Sequence, residues 1–468
     1  MMKYLGKELF FCDLECSGLL SDMKKQEKPR LHNFCSIQDT PSGMDISVYC
    51  RGGKSGLQTF LNSSPTLIIH NGILFDGEAL SFFKYDVSKV NIVDTLLLSW
   101  YLEPKRPKHG LESYGEEFGV PKPVINDWES LTQEDYNHRV IEDCKIQRRL
   151  WMKQYAMLKE IYGTDEQIDR FLAYLMFKGK ELLIQQRNQW KLDVDEAVQL
   201  EQQLSKEVEE SLTALQKVMP KVPKYATKSR PAKPFKKSGE LSSTGLAWKE
   251  LTSSMGLPFE HSEPIKVKVG EVEPNAQSVA QIKAWLYSLG WVPQTFKAVK
   301  VEAGVYRDVE QINVQGGDVC KSVKELFDTE PGLVHLQGLG ILKHRHSMVK
   351  GFLRDQEEGF LTARAAGFTN TLRLQHSETV NLPSLRVKYG KEIRGLLKTR
   401  SENNVLLGSD LCSLENRLLH HFQMPIDPEY VKTQLADDYD PHLQTALSAG
   451  MLTQDEVTFY KWYKENHE

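Results

Sequence analysis

The feature that most constrains this chain is an apolar segment near its start, residues 10–15, which carries two acids at alternate positions, Asp13 and Glu15. A short apolar run predicts a buried β-strand, and residues two apart in a strand project from the same face. Two carboxylates side by side on a buried strand repel each other and lose hydration unless a cation or a proton compensates. Mg²⁺ and Mn²⁺, which prefer oxygen ligands, suit such a pair. A solvated edge strand is the alternative interpretation.

The composition is that of an ordinary globular protein of 468 residues, long enough for two to four domains. Lys and Arg number 59 against 63 Asp and Glu, which excludes a histone-like basic protein and an acidic disordered tail. No apolar run approaches the roughly 18 residues of a membrane span, and the N-terminus lacks a signal-peptide pattern. The seven cysteines include no CxxC pair, which favours free thiols in a reducing cytosol. We therefore expect a cytoplasmic protein with no membrane partner.

Alternating strand and helix patterns predict an α/β domain in the first 150 residues. Apolar runs at 66–70 and at the start of 92–102 are typical of strands, and the second continues with helical character. Helical spacing of apolar residues follows at 134–157 and 195–218. Near the end of the chain, residues 404–411 again have the pattern of a strand.

A basic segment at 217–237 contains eight Lys or Arg residues, four prolines and no acid. It has two interpretations. One is a solvated linker, and the other is a loop that contacts nucleic-acid phosphates, where each neutralised phosphate releases counterions.

Two more acids follow apolar or helical segments. Asp76 ends the segment LIIHNGILFD (67–76), and Asp143 lies in the helical segment YNHRVIEDCKI (136–146). Together with the first strand, these segments resemble the exonuclease motifs of the DEDD superfamily, the proofreading domains of DNA polymerases and their relatives. The resemblance implies that Asp13, Glu15, Asp76 and Asp143 bind two Mg²⁺ or Mn²⁺ ions. Such a pair of ions activates a water and stabilises the leaving 3′ oxygen.

The superfamily adds a residue that orients the attacking water, either a Tyr four positions before the last Asp or a His five before it. Here the fourth position is Arg139, which cannot be deprotonated, and the fifth is His138. In a helix, His138 would lie about 140° around from Asp143, so it reaches the site only at or before the helix start. We expect His138 to take this role, with Tyr136 or no residue as the alternatives.

A second resemblance lies near the C-terminus. The segment VLLGSDLCSLENR (405–417) resembles motif A of family A DNA polymerases, in which an Asp binds the catalytic metals and a Glu contacts the sugar side of the nucleotide. It implies that Asp410 is a metal ligand and Glu415 a nucleotide-binding residue. A helix cap is the alternative role for an isolated Asp410. The segment 437–453 resembles the one whose His reaches the nucleotide phosphates, here His442.

Segments 274–293, 362–384 and 389–397 also resemble phage members of this family, and the basic segment then falls at the tip of the thumb. The resemblance implies contacts to DNA phosphates from a set of basic residues: Lys224, Lys228, Arg230, Lys236, Lys237, Arg364, Arg373 and Arg394.

Two family features are missing from the sequence: the fingers helix that binds the nucleotide, and a palm hairpin with His-Asp-Glu that supplies the second metal-binding Asp. With one palm carboxylate, the chain alone is not expected to synthesise DNA. The resemblance therefore implies the N-terminal portion of a split or truncated phage-type polymerase, whose C-terminal partner supplies the fingers and the second Asp. The alternatives are a stand-alone exonuclease with a DNA-binding C-terminal region and a non-catalytic DNA-binding scaffold.

The expected fold is α/β, with a ribonuclease H-like exonuclease domain of mixed sheet and helices, then a helical thumb and a partial α+β palm. We place the exonuclease domain at 1–180, the thumb at 181–360 with a palm-entry segment at 260–300, and the first part of the palm at 361–468. The expected partners are primer-template DNA, a single-stranded 3′ end, a dNTP and the C-terminal polymerase subunit. The expected location is the cytoplasm of a phage-infected bacterium.

Overall fold

The computed structural model describes the whole chain apart from residues 1, 2, 5, 51, 52, 121, 124, 126–130, 303, 304, 315, 378, 380, 402, 412, 437, 438 and 468. The chain forms two compact units, residues 1–400 and 401–468. Among the described residues, no helix is long and apolar enough to cross a membrane. The six described cysteines are free, as predicted, and Cys412 lies outside the described residues.

The first unit begins with a mixed sheet of six strands. These are β1 (Lys3–Tyr4), β2 (Lys7–Cys16), β3 (Leu31–Thr40), β4 (Gly43–Cys50), β5 (Thr66–Ile69) and β6 (Asn91–Asp94). Their order is β4-β3-β2-β5-β6, with β1 beside β2. Strands β2, β3 and β4 are antiparallel neighbours, whereas β5 is parallel to β2 and β6 to β5. The predicted strands at 10–15, 66–70 and the start of 92–102 are confirmed.

Helices cover both faces of this sheet. They are α1 (Leu20–Lys25), α2 (Lys54–Asn62), α3 (Gly77–Phe82), α4 (Thr95–Leu102), α5 (Leu111–Phe118), α6 (Gln133–Tyr162) and α7 (Asp165–Asn188), with a π-helical turn at Gly72–Asp76. Alternate residues of β2 enter different cores: Leu9 and Phe11 pack with α4, α6 and α7, and Cys12 and Leu14 pack with α1, α2 and α3. Because Asp13 and Glu15 continue the first set, they project toward the face that α6 covers.

The next part of the unit is mainly helical. Its elements are β7 (Trp190–Leu192), α8 (Val194–Val218), β8 (Val222–Lys228), α9 (Ser243–Ser254), β9 (Ile265–Val272), α10 (Val279–Ser288), β10 (Phe296–Glu302), β11 (Val305–Glu310), α11 (Lys321–Lys324), a 3-10 turn (Pro331–Leu336) and α12 (Leu339–Asp355). Helices α8 and α12 pack through Leu200, Leu204, Leu342 and Val349. The basic segment 217–237 is not a simple loop, because it includes β8, which pairs antiparallel with β9.

Short strands complete the first unit. They are β12 (Phe360–Leu361), β13 (Ala365–Phe368), β14 (Leu374–His376) and β15 (Leu397–Lys398), with α13 (Gly390–Gly395) between the last two. Strand β7 lies at the centre of a three-stranded antiparallel sheet between β12 and β15. Strands β13 and β14 form a separate antiparallel pair.

The second unit contains four helices, α14 (Leu414–Gln423), α15 (Pro428–Gln434), α16 (Pro441–Ser448) and α17 (Gln454–His467). The predicted strand at 404–411 is wrong, because these residues form no strand in the structure. A strand requires a neighbour for its backbone hydrogen bonds, and the described residues of this unit include no other strand. Val405 and Leu407 are exposed at 87% and 93%, so the apolar segment lies in solvent.

Candidate active site

Three acids that are far apart in the sequence come together above β2. Asp13 and Glu15 project from the strand toward α6, and Asp143 lies on the facing side of that helix. One carboxylate oxygen of each lies within 4.8 Å of the others. Oxygen ligands at this spacing match the preference of Mg²⁺ and Mn²⁺.

Two of the three acids are buried, and Asp13 is half-buried. Asp143 is fully buried, and Glu15 is 9% exposed. Among the described residues, Asp143 Oδ1 has no hydrogen-bond partner. An unsatisfied buried carboxylate oxygen is costly, and a cation at this position would satisfy it. The residues present therefore fit a divalent ion.

The fourth predicted acid, Asp76, ends the π-helical turn after β5 and is buried. It is not part of the three-residue group. Its carboxylate is close enough to Asp13 to raise the pKa of that acid. The turn that carries Asp76 is tight: a Cβ at Gly72 would lie 2.6 Å from Cβ of Ile69.

Asp94 fixes the turn that carries Asp76. Its carboxylate accepts hydrogen bonds from the backbone N–H groups of Asn71 and Ile73, each at 3.0 Å, and from Leu96 N–H at 2.9 Å. Asp94 therefore caps α4 and holds the start of the turn at the same time. It is a positioning residue for Asp76.

Burial raises the pKa of Asp13 well above its ordinary value, and the nearby Asp143 carboxylate raises it further. Burial also raises the pKa of Glu15, against the lowering effect of Arg139. Asp143 follows the same pattern, with Lys122 as the group that lowers its pKa. The cluster thus favours uptake of positive charge, either protons or metal ions.

Two cations that sequence reasoning did not assign to the site contact these acids. Lys122 Nζ lies 2.6 Å from Asp143 Oδ2. Arg139 Nε donates to Glu15 Oε1 at 2.7 Å, and its Nη1 donates to the carbonyl of Pro123 at 3.1 Å. Arg139 was excluded as a base, and its actual contact is with an acid 124 residues away in sequence.

The structure does not meet the condition under which His138 would reach the site. Helix α6 begins at Gln133, after a capping box formed by Thr132 and Asp135. His138 therefore lies within the helix, is exposed, and lines a different cavity from the one that Glu15 lines. The Thr-x-x-Asp pattern at 132–135 was the sequence signal that the helix begins before His138.

Tyr136, the alternative to His138, faces the acids. It is 8% exposed, and its ring stacks on that of His32 with centroids 4.0 Å apart. Burial, with a smaller effect of the Glu15 carboxylate, raises the pKa of Tyr136. Of the two candidates, Tyr136 is the one on the acidic side of the helix.

A cleft of about 950 Å³ opens beside Glu15. Tyr136, Phe75, Lys28 and Arg30 contribute to its walls. The cleft combines aromatic surface with two exposed cations, and Glu15 is the member of the acidic group that lines it. Aromatic rings stack on bases and cations attract phosphates, so these walls suit a single-stranded nucleic-acid end.

The residues predicted for the polymerase half lie on three segments of the second unit. Asp410 is in the exposed stretch before α14, Glu415 is in the first turn of α14, and His442 is in the first turn of α16. All three side chains are exposed. Their predicted roles remain proposals.

The predicted DNA contacts are mostly exposed. Lys224 and Lys228 are exposed on β8, and Lys236 and Lys237 follow it, with Lys236 3.5 Å from Glu240. Arg230 is half-buried and lies over the ring of Phe259.

The strand partner of β8 adds cations that the sequence prediction missed. Lys266 and Lys268 of β9 are the cross-strand neighbours of Thr227 and Tyr225. Cross-strand neighbours share a face, so exposed Tyr225 and these lysines lie together.

Of the three other predicted arginines, two precede the strands β13 and β14, and the third, Arg394, lies on α13. Arg364 and Arg373 are exposed, each directly before one of the two strands. Arg394 donates to the carbonyls of Leu382 and Pro383, so it also holds the preceding loop.

The pKa of Asp94 provides a test of this arrangement. Burial raises it to about 6, although four backbone N–H groups oppose the shift. The native state therefore keeps a proton to higher pH than the unfolded chain, and the free energy of unfolding falls as pH rises from about 4 to 6. Between pH 4 and pH 7 we expect the free energy of unfolding of wild type to fall by roughly 3 kcal/mol relative to that of Asp94→Asn, at about 1.4 kcal/mol per pKa unit. Urea unfolding at each pH measures this; a difference that stays constant with pH contradicts it.

Comparison with known proteins gives a structural likeness without a sequence match. No protein-family model and no curated protein matches the chain. Among solved structures, the chain is similar to the polymerase domain of Pol1 from M. smegmatis, determined in a complex with DNA primer-template and dNTP. The identity is 14% and the TM-score 0.53, over 95% of this chain and 67% of that one. The chain thus has a mixed α/β fold similar to that of a DNA polymerase domain.

Proposed function

We propose that this chain is the N-terminal portion of a phage-type family A DNA polymerase and carries a two-metal 3′–5′ exonuclease in a ribonuclease H-like domain. The observation that carries the proposal is the group of Asp13, which is half-buried, with Glu15 and Asp143, which are buried; Asp143 Oδ1 has no partner among the described residues. A polymerase-like fold over 95% of the chain supports the same assignment.

In this proposal, Asp13, Glu15, Asp76 and Asp143 hold two Mg²⁺ or Mn²⁺ ions. Bound ions of this kind supply an activated water and charge stabilisation for the leaving oxygen. Other residues of the chain hold these acids in position. Asp94 fixes the turn of Asp76, and α6 sets Asp143 against β2.

The cleft beside Glu15 receives the 3′ end of a single strand. Lys28 and Arg30 attract the phosphates, and Phe75 and Tyr136 offer ring faces to the bases. Tyr136 is also the residue that we propose to orient the attacking water, because it faces Glu15 whereas His138 does not.

The experiment that tests the exonuclease uses the purified chain with a 3′-recessed primer-template, Mg²⁺ and all four dNTPs. We expect the primer to shorten without extension, and EDTA to stop the shortening. Extension by the chain alone would contradict the role given to a partner. An unchanged primer would favour a DNA-binding scaffold whose acids are held by Lys122 and Arg139.

The paired strands β8 and β9 form the proposed thumb surface for duplex DNA. We expect Lys224→Ala and Lys228→Ala each to weaken duplex binding and to reduce the slope of log affinity against log salt by about 0.9. Fluorescence anisotropy over a salt series measures the slope. Lys89→Ala, an exposed lysine of the exonuclease domain, is the control and should leave the slope unchanged. Equal slopes for all variants would remove these strands from the DNA surface.

The second unit belongs to the proposed first part of the palm, residues 361–468, with Asp410 as a metal ligand and Glu415 and His442 as nucleotide contacts. Among its described residues, Val431 and Val457 are the buried apolar side chains, whereas Leu407, Phe422 and Ile426 are at least 70% exposed. An extended apolar segment without a strand neighbour favours pairing with a strand from another polypeptide. We propose that a C-terminal polymerase portion covers this unit and brings the fingers and the second palm Asp.

This proposal predicts a role for Asp410 only in the completed enzyme. Tagged chain, added to an extract of the cells in which it is naturally made, should be recovered with primer-extension activity. Asp410→Ala chain should recover the same proteins without extension, while its own shortening activity stays at the wild-type level, because a missing ligand disables only the palm metals. Equal extension from both chains would favour a stand-alone exonuclease with a DNA-binding C-terminal region.

A further inference from the structure

Lys122 lies in the segment between α5 and α6 and reaches into the acidic group. Its Nζ is 2.6 Å from Asp143 Oδ2, with the Asp143 side chain fully buried and the Lys122 side chain 23% exposed. A buried carboxylate beside two others is unfavourable without a cation. In the structure, that cation is Lys122.

Pro123, the residue after Lys122, is held beside the site. Arg139 binds Glu15 through Nε and the carbonyl of Pro123 through Nη1. One side chain therefore joins a candidate metal ligand to the residue that follows Lys122. This hydrogen bond holds the Pro123 carbonyl near α6, close to the position from which the flexible Lys122 side chain reaches Asp143.

The two cations differ in how readily they leave. The guanidinium of Arg139 has at least two partners among the described residues, Glu15 and the carbonyl of Pro123, and a rigid planar geometry. Lysine is a point charge on a flexible four-carbon chain and gives up a single contact more easily. The partial exposure of Lys122 leaves room for its side chain to move toward solvent.

We propose that Lys122 is a built-in counter-ion of the exonuclease site, which holds Asp143 in the metal-free protein and is displaced when a divalent ion binds. The inference rests on the proposed metal site. It assigns Lys122 a role in setting metal affinity, because each binding event must break the Lys122–Asp143 ion pair. Lys122 acts here as a positioning residue and not as a ligand.

The first test measures Mn²⁺ binding to the full chain by the loss of the free-ion EPR signal. We expect Lys122→Met to bind Mn²⁺ about tenfold more tightly than wild type, which corresponds to ~1.4 kcal/mol for the broken ion pair. Lys122→Arg keeps the charge and should not bind more tightly. Lys145→Met is the matched control, since Lys145 pairs with Glu142 at 2.7 Å, and both lie on α6, the helix of Asp143. It should bind as wild type does.

Each outcome of the Mn²⁺ measurement supports or contradicts the counter-ion role of Lys122. Equal or weaker binding by Lys122→Met overturns the counter-ion role, and with wild-type binding intact it leaves the metal site standing. Mn²⁺ binding by neither wild type nor Lys122→Met overturns both proposals. Thermal unfolding of metal-free Lys122→Met should occur at lower temperature than wild type, and Mn²⁺ should abolish the difference.

The second test needs no variant. Acetylation of lysines in wild-type chain by a water-soluble reagent, read by mass spectrometry, should become several-fold faster at Lys122 when saturating Mg²⁺ is added. Lys145 should react at the same rate with and without Mg²⁺. An unchanged rate at Lys122 would show that its side chain stays on Asp143 when the metal binds, which contradicts displacement.

Discussion

The Asp13→Asn chain is expected to shorten primers at least about 10³-fold more slowly than wild type, which corresponds to a loss of ~4 kcal/mol of transition-state stabilisation. The amide has the shape of the carboxylate but lacks its charge, so the proposed metal site loses a charged ligand with little change in packing. A gel assay of primer shortening under single-turnover conditions measures the rate.

The same substitution should have the opposite effect on stability. Burial and the Asp143 carboxylate raise the pKa of Asp13, which means that its charge destabilises the metal-free fold. Metal-free Asp13→Asn should therefore unfold at a higher temperature than wild type and gain less from added Mg²⁺. Asp39→Asn is the control: Asp39 lies on β3 and pairs with Arg148 at 2.8 Å, outside the acidic group. Shortening by Asp13→Asn within tenfold of wild type would exclude Asp13 as a ligand.

The Asp94→Ala chain is expected to lose about 3–5 kcal/mol of unfolding free energy, because each buried N–H left without an acceptor costs roughly 1–3 kcal/mol. Four such groups, on Asn71, Ile73, Leu96 and Leu97, depend on this one carboxylate. Relief of the buried charge offsets part of the loss. Urea unfolding at pH 7 measures the change.

A matched change nearby separates this effect from a general loss of an acid. Asp86 is exposed and accepts a hydrogen bond from Ser88 N–H within its own loop. Asp86→Ala should leave the unfolding midpoint unchanged. Since Asp94 holds the turn of Asp76, the Asp94→Ala chain should also shorten primers slowly at temperatures where it is still folded. A stability loss no larger than that of Asp86→Ala would contradict the clamp role.

The sequence was sufficient for features that depend on local pattern. The alternation at 10–15 predicted the strand and the common face of Asp13 and Glu15, and helical spacing predicted the helix of Asp143. Structure then placed one oxygen of each of these acids within 4.8 Å of the others. The spacing of residues along a strand or helix is fixed by backbone geometry, which is why these predictions were within reach.

Features that depend on contacts between residues distant in the sequence could not be predicted from it. The sequence around Lys122 does not indicate that its partner is Asp143 of α6. Nor does the sequence around Arg139 indicate that its partner is Glu15 of β2. The strand expected at 404–411 had suitable apolar residues, but it lacks a neighbour among the described residues of its unit. The position of His138 within α6 is a different case, because the capping residues Thr132 and Asp135 were visible in the sequence and mark the helix start.

The short strand β7 has a consequence for the order in which the chain is made. Both of its neighbours, β12 and β15, come from residues 360–361 and 397–398, so the sheet cannot close until the ribosome has added roughly 200 more residues. At about 5–20 residues per second, this takes roughly 10–40 s. The sheet around β2, by contrast, draws its strands from the first 94 residues. The sheet around β2 is therefore expected to form during synthesis, before the strands that close the sheet around β7 have been made.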